Sequence, residues 1–160
     1  SFSVMIDFAH TPNAFEALLK DLRVNVKGRI IHVFGSAGAR DTTKRPLMGK
    51  ISSKYADIVI LTAEDPRKES LEKINREIES GIKITNHKYQ ISNKSKIQIY
   101  KIANRKEAIE AAIKMAKKGD FVLITGKSHE KSMNYGHGEE PWDEYKAVSD
   151  ALKQFNNLTI

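Results

Sequence analysis

The sequence predicts an α/β fold, a doubly wound and mostly parallel sheet with helices on both faces. Short apolar runs rich in β-branched residues alternate along the chain with amphipathic stretches at helical spacing. A second observation concerns Asp7-Phe8-Ala9-His10-Thr11-Pro12, Gly35-Ser36-Ala37-Gly38-Ala39-Arg40-Asp41 and Gly126-Lys127-Ser128-His129-Glu130. Each stretch falls where a strand-like run gives way to polar residues. Ligands of open α/β sheets collect at the carboxyl ends of strands, so three such loops describe one site.

The elements follow in order. Strands are predicted at residues 4–8, 30–34, 58–62, 97–102 and 121–125, each short and apolar as buried strands are. Thr11 caps a first helix, with Pro12 in its first turn and Ala14, Ala17, Leu18 and Leu22 at helical spacing. Glu64-Asp65-Pro66-Arg67 reads as a polar turn before a helix. Asn104 caps another helix, whose apolar face is Ala108, Ile109, Ala112, Ile113 and Ala116. A last helix is expected from about Trp142 to Phe155. No internal repeat or low-complexity linker is visible. The Lys-rich segment 80–102, which holds no acidic residue, is the one candidate insertion.

Composition bounds what this fold can be. The 160 residues, 40% of them hydrophobic, suit one domain over 1–160 with a real core. Without cysteine there are no disulfides and no thiolate metal sites, which fits a cytoplasmic setting. No apolar run approaches the ~18 residues of a membrane span, and no basic-then-apolar leader is seen, so no membrane partner is expected. A start at Ser1, running straight into strand-like residues 3–6, suggests a piece cut from a longer protein. The net charge of +7 favours anionic partners. Lys83, Lys88, Lys94, Lys96 and Lys101 are accompanied only by Tyr89 and Tyr100 as aromatics, within no nucleic-acid module. The segment therefore reads as a solvated, variable stretch, and no nucleic acid is expected.

The loops carry the chemistry. In 35–46 the glycines let backbone N–H groups approach an anion, and Arg40, Lys44 and Arg45 add charge. The loop lacks a Gly-Lys-Ser/Thr ending, so it reads either as an anion cradle or as a plain strand-to-helix turn. Asp7 can accept from ribose hydroxyls, and His10 can face the same cleft; Asp-x-x-His is also a common capped turn. Lys127, His129 and Glu130 follow the fifth strand similarly. His129, Glu130 and His137 lack a helix-borne His-Glu-x-x-His arrangement, and no metal site is predicted. Arg67 is either part of a helix start or a fork for a carboxylate.

Together these residues resemble the C-terminal domain of the Mur ligases, most closely the MurE-like type that adds the third amino acid to UDP-N-acetylmuramoyl-dipeptide. Where family members show Asp-Tyr-Ala-His-Thr-Pro, this chain has residues 7–12; a Gly-rich loop with Arg-Asp and Lys-Arg-Pro-Leu-Met-Gly is matched by Arg40-Asp41 and 44–49. Asp-Asn-Pro-Arg corresponds to Glu64-Asp65-Pro66-Arg67, and Asp-Arg before an Ala-Ile helix to Asn104-Arg105. Gly-Lys-Gly-His-Glu corresponds to 126–130, and a final Phe-Asp-Asp segment to Trp142-Asp143-Glu144. Six ordered motifs span nearly the whole chain.

The resemblance implies a Rossmann-like domain of an ATP-dependent, ADP-forming amide ligase in peptidoglycan precursor synthesis. Its partners would be ATP, UDP-N-acetylmuramoyl-dipeptide, an amino acid, and the ligase's own N-terminal and central domains. The resemblance further implies that Asp7 contacts the ATP ribose and that His10, the implied catalytic residue, lies near the phosphates. Arg40, Asp65, Arg67, Gly126 and Glu130 would hold the incoming amino acid, with Lys44, Lys127 and His129 in support. ATP and Mg²⁺ would be held mainly by the central domain, which carries the phosphate loop absent from these residues. Asp65 replaces the family's Asn, Ser128 a Gly and Ala39 an acidic residue. Folylpolyglutamate synthetases, which share an Asp-x-Ala-His-x-Pro signature, and a noncatalytic nucleotide- or anion-binding module are the other readings.

Overall fold

The computed structural model describes residues 1–88 and 97–157, with side chains described for 1–82 and 97–156. The elements are β1 (Ser3–Asp7), α1 (Pro12–Asn25), β2 (Ile30–Phe34), α2 (Lys44–Tyr55), β3 (Ile58–Leu61), α3 (Leu71–Lys88) and β4 (Gln98–Lys101). After them come α4 (Arg105–Met115), β5 (Phe121–Thr125), β6 (Ser132–Asn134), β7 (Glu139–Pro141) and α5 (Glu144–Asn157). Strands β1 to β5 form one wholly parallel sheet in the order β1-β5-β2-β3-β4. All carboxyl ends therefore point to one edge.

Alternation along the strands sends side chains to two cores. Ile31, Val33, Ile58, Ile60, Val122 and Ile124 pack against α4 and α5. Ile30, Phe34, Val59, Leu61 and Leu123 face α1, α2 and α3, where Phe15 and Leu19 are buried. Each such side chain contributes about 1.5–3 kcal/mol by leaving water. His32 lies within this second layer, bonded through its ring nitrogens to Ser52 and Thr125. Burial pushes its pKa down to about 3, with Arg105 adding to the effect, so it stays neutral and structural.

The expected helix starts hold. Thr11 Oγ1 accepts from Ala14 N at 3.3 Å, and Asn104 Oδ1 accepts from Lys106 N and Glu107 N at 2.9 and 3.2 Å. Other expectations are corrected. The first strand ends at Asp7 rather than Phe8, because the Asp7 carboxylate accepts from Ala9 N and turns the chain. The last helix starts at Glu144 rather than Trp142, since Asp143 caps it by accepting from Lys146 N. The antiparallel hairpin β6–β7 was not anticipated; three-residue strands carry too little periodicity to be seen. The Lys-rich segment 80–102 is not wholly a solvated insertion. Ile82 is buried within α3, and residues 98–101 form β4 on the sheet edge. Lys83, Lys88, Tyr89, Lys94 and Lys96 lie outside the residues whose side chains are described.

Candidate functional site

Loops after β1, β2, β3 and β5 meet at the carboxyl edge of the sheet. In the β1 loop the His10 Nδ1–H donates to Phe8 O at 2.8 Å, which leaves Nε2 as an acceptor. The Phe8 ring, 39% exposed, lies 4.7 Å from the His10 ring and 4.8 Å from that of His129, joining the β1 and β5 loops. Gly126 N donates to Asp7 O, a second tie between them. A groove of about 480 Å³ opens here, lined by Asp7, Phe8, His10, Ala14 and Leu18 among others.

The cations of the β2 loop prove unequal. Arg45 is completely buried, its guanidinium donating to Glu69, Glu77 and Ala37 O. It fastens the loop to α3 and is not available to an anion, contrary to its grouping with Arg40 and Lys44. Lys44 donates from Nζ to His10 O at 2.8 Å and so ties α2 to the β1 loop. Arg40 is exposed and makes no hydrogen bond or ion pair among the described residues. Its fork is the one in this loop still open.

After β3 the backbone turns sharply, with Asp65 and Arg67 both at positive φ (45° and 54°). This geometry lets Gly38 N reach Asp65 O while Arg67 Nη1 donates back to Gly38 O at 2.8 Å. Arg67 also borders a second groove of about 350 Å³ with Ala39, Lys68, Asn134, Gly136 and Gly138. Most of its N–H groups remain uncommitted beside that space.

Asp65 is committed to other partners than Arg67. One oxygen accepts from Asn134 N and the other from Lys127 Nζ, each at 2.8 Å. Lys127, 1% exposed, also pairs with Glu130 at 2.7 Å. The extra negative charge that Asp65 brings relative to an Asn is thus balanced by Lys127. Glu130 remains 40% exposed at the side chain and His129 is exposed.

Behind these loops Arg105 and Glu144 form an ion pair, both at 0% exposure. Arg105 donates to Ala63 O at 3.1 Å and to Thr125 O at 2.8 Å, tying the chain just after β3 to the end of β5 across the intervening β2. Trp142 Nε1 donates to Glu144, which brings the start of α5 into the same network.

Glu64 was read in the sequence only as part of a turn. It is 7% exposed, and burial pushes its carboxyl pKa up to about 7 against the opposing charges of Arg105, Lys44 and Lys127. Gly126, at φ 111°, leaves it space: a Cβ there would lie 2.2 Å from Glu64 Oε2. The sequence signal that could have found it was its place at the end of a central buried strand.

The sequence-predicted residues therefore all lie along this one edge: Asp7 at the end of β1, Lys44 at the start of α2, and His10, Arg40, Asp65, Arg67, Gly126, Lys127, His129 and Glu130 in its loops. Comparison with known proteins bears on the family and the fold. Residues 1–128 match the family described as "Mur ligase, glutamate ligase domain". The chain is 44% identical over 153 residues to UDP-N-acetylmuramoyl-L-alanyl-D-glutamate--2,6-diaminopimelate ligase 1 of Clostridium acetobutylicum, covering 96% of this chain and 29% of that protein. It is also 44% identical over 152 residues to UDP-N-acetylmuramyl-tripeptide synthetase of Borreliella burgdorferi, covering 95% and 28%. A solved structure of a UDP-N-acetylmuramoyl-L-alanyl-D-glutamate--2,6-diaminopimelate ligase matches with a TM-score of 0.82 at 33% identity, over 96% of this chain and 29% of that one. Escherichia coli FolC in complex with ADP has a TM-score of 0.55 at 18% identity over 96% of this chain and 29% of that one, a likeness of fold alone. The chain spans 29% or less of the length of these relatives.

Proposed function

Since the chain belongs to the Mur ligase family through its glutamate ligase domain, we propose that it serves as the C-terminal domain of an ATP-dependent, ADP-forming amide ligase. The reaction would join an amino acid to UDP-N-acetylmuramoyl-dipeptide in peptidoglycan precursor synthesis. The observation that carries this reading is the gathering of two unequal groups of side chains on one sheet edge. Asp7 and His10 flank one groove, while Arg67 flanks another, with Asp65, Lys127 and Glu130 paired beside it.

In this reading the substrate carboxylate takes the γ-phosphoryl group of ATP, and the amine displaces phosphate from the acyl phosphate. Asp7 keeps one carboxylate oxygen for ribose hydroxyls, because its bond to Ala9 N uses only Oδ1. His10 lies near the nucleotide phosphates. Arg40 and Arg67 offer planar forks to the carboxylates of the incoming amino acid, and Glu130 receives its ammonium. Gly126 gives close backbone approach. Lys44, Lys127 and His129 support these groups through the contacts already described.

These residues contain no Gly-x-x-x-x-Gly-Lys-Ser/Thr phosphate loop, since Gly126-Lys127-Ser128 is preceded by Phe121 where that pattern needs a glycine. Mg²⁺ and the ATP phosphates would accordingly be gripped mainly by a central domain, and the dipeptide substrate by an N-terminal one, with 1–160 as the single closing domain. Both nucleotide substrates are cytoplasmic, which supports that location; among the described residues no helix is long and apolar enough to cross a membrane. A folylpolyglutamate synthetase-like role has weaker support, resting on fold likeness at 18% identity. A noncatalytic binding module has weaker support, because the relatives at 44% identity carry ligase and synthetase names.

The deciding experiment is amino-acid-dependent phosphate release by the full-length protein supplied with ATP and UDP-N-acetylmuramoyl-dipeptide. Release that requires both the dipeptide and one amino acid is expected. Release with a folate acceptor instead, or none with any amino acid, would overturn the proposal.

A further inference from the structure

Backbone strain in this domain is collected on the edge that carries the site. Among the described residues four non-glycine positions have positive φ: Ala39 (52°), Asp65 (45°), Arg67 (54°) and Ser128 (43°). All four lie in the loops after β2, β3 and β5. A left-handed residue with a side chain is costly, and it persists only where its surroundings over-determine the backbone. For the β3 and β5 loops, the group that does so stands outside both of them.

That group is Arg105, the first residue of α4 and fully buried. Its Nη1 donates to Ala63 O and its Nη2 to Thr125 O, the carbonyls from which the two loops leave the sheet. Because β2 lies between β3 and β5, no strand ladder joins those ends, and the guanidinium spans the gap. The Arg105 backbone N–H donates to Tyr135 Oη, which brings in the β6–β7 hairpin. Next to Tyr135, Asn134 holds the turn from both sides: its carbonyl accepts from Arg67 N and its N–H donates to Asp65. From Thr125 the chain runs through Gly126 to Lys127, which pairs with Asp65. Three routes from Arg105 thus end on the turn that carries Arg67. Glu144, held by Nε, keeps the guanidinium oriented for all of them. Arg105 itself borders neither groove.

Resting on the ligase reading, we infer that Arg105 is a positioning residue for amino-acid recognition: by fastening Ala63, Thr125 and Tyr135 it holds the strained turn at Asp65 and Arg67, and so aims the Arg67 fork into its groove. It touches no substrate. Once the carbonyl bonds are lost the turn is free to relax to negative φ, and the fork leaves the groove with it. The nucleotide-side groove is built from the β1 loop and α1, to neither of which Arg105 donates. Nucleotide binding should therefore not depend on it.

The test is steady-state kinetics on the full-length protein carrying Arg105→Lys, which keeps a cation beside Glu144 but has no planar fork to divide between two carbonyls. The amino-acid KM should rise on the order of tenfold, while the KM for ATP stays within about twofold of the parent. Combination with Arg67→Lys separates positioning from general damage. If Arg105 acts through the Arg67 fork, the double variant should also lose only about tenfold, because the fork to be aimed is already gone. Ile109→Val, which thins the packing of α4 on the sheet without touching either carbonyl, should leave both KM values within about twofold. Multiplied losses of about a hundredfold in the double variant, an equal rise in the ATP KM, an unchanged amino-acid KM, or the same split from Ile109→Val each overturn the role. If Arg105→Lys does not fold, Arg105→Met with Glu144→Leu drops the same two carbonyl bonds without stranding a charge and should show the same split. A parallel rise in both KM values again overturns it. A parent that releases no phosphate with any amino acid overturns the ligase reading itself, whereas a working parent whose variants show no split overturns this inference alone.

Discussion

Lys127 bridges Asp65 and Glu130, its Nζ 2.8 Å from one carboxylate and 2.7 Å from the other, with the lysine side chain almost wholly buried. The bridge fixes the β5 loop against the β3 loop and explains how an acidic residue is accommodated two positions before Arg67. Removing the cation leaves a carboxylate in a half-buried place. Lys127→Met should destabilise the fold by about 2–4 kcal/mol, below a fully buried pair because Glu130 can turn to water. Asp65→Asn should cost less, as Glu130 still holds Lys127. Denaturant titration at neutral pH reads both, and a Lys127→Met change under about 0.5 kcal/mol would show that the bridge is ornamental.

Arg67 keeps most of its donors beside the smaller groove. In the full-length enzyme Arg67→Lys retains the charge but loses the fork, so the amino-acid KM should rise on the order of tenfold, equivalent to ~1.4 kcal/mol. The KM for ATP should hardly move. Steady-state kinetics with each substrate varied would check this; a rise in the ATP term alone would place Arg67 in the wrong half of the site.

Glu64 links stability to pH in a definite direction. Its folded carboxyl is raised from 4.5 to about 7 by burial. Between those values the native state holds a proton that the unfolded chain has lost, so stability falls as pH rises and the contribution is gone above pH 7. Glu64→Gln cannot ionise. Its stability relative to the parent should grow by about 3 kcal/mol from pH 4.5 to above 7. A flat difference across that range would refute the shift.

The Arg105–Glu144 pair is fully buried, and each single truncation strands a charge. Glu144→Gln should cost about 3–5 kcal/mol, whereas the double replacement Arg105→Met with Glu144→Leu should cost less than the sum of the singles. Recovery would stay incomplete, because Arg105 also serves the carbonyls of Ala63 and Thr125. A double-mutant cycle with strictly additive losses would contradict the coupling.

The chain by itself should bind ATP more weakly than ~1 μM, about −8 kcal/mol, and should not hydrolyse it, since it offers Asp7 and His10 but no phosphate loop. Calorimetry on residues 1–160 checks this directly. A tighter constant would mean that the nucleotide is gripped here rather than elsewhere.

All five parallel strands and the caps at Thr11 and Asn104 were legible, because apolar runs and capping residues act locally. Charge allocation was not. Arg40 and Arg45 look alike in sequence, yet one is exposed and the other is enclosed by Glu69, just before α3, and Glu77 within it. Asp65 stands two residues from Arg67 along the chain, yet the fold sets it against Lys127 from a different strand end. Glu64 looked like the first residue of a turn until Gly126 was seen to roof it. Each of these depends on which loops meet, and periodicity does not report that.

The position of β5 between β1 and β2 bears on how the domain comes into being. Ser3 pairs with Phe121 and Asp7 with Thr125, so the first strand of this domain is an edge strand whose one neighbour among the described residues is the last strand of the sheet. During synthesis β2, β3 and β4 can pair as they emerge, while β1 stays without a ladder until nearly the whole chain has been made. Assembly therefore ends with the event that brings the β1 and β5 loops together. A nascent chain halted short of Thr125 holds Asp7, His10 and Thr11 in sequence but not in place.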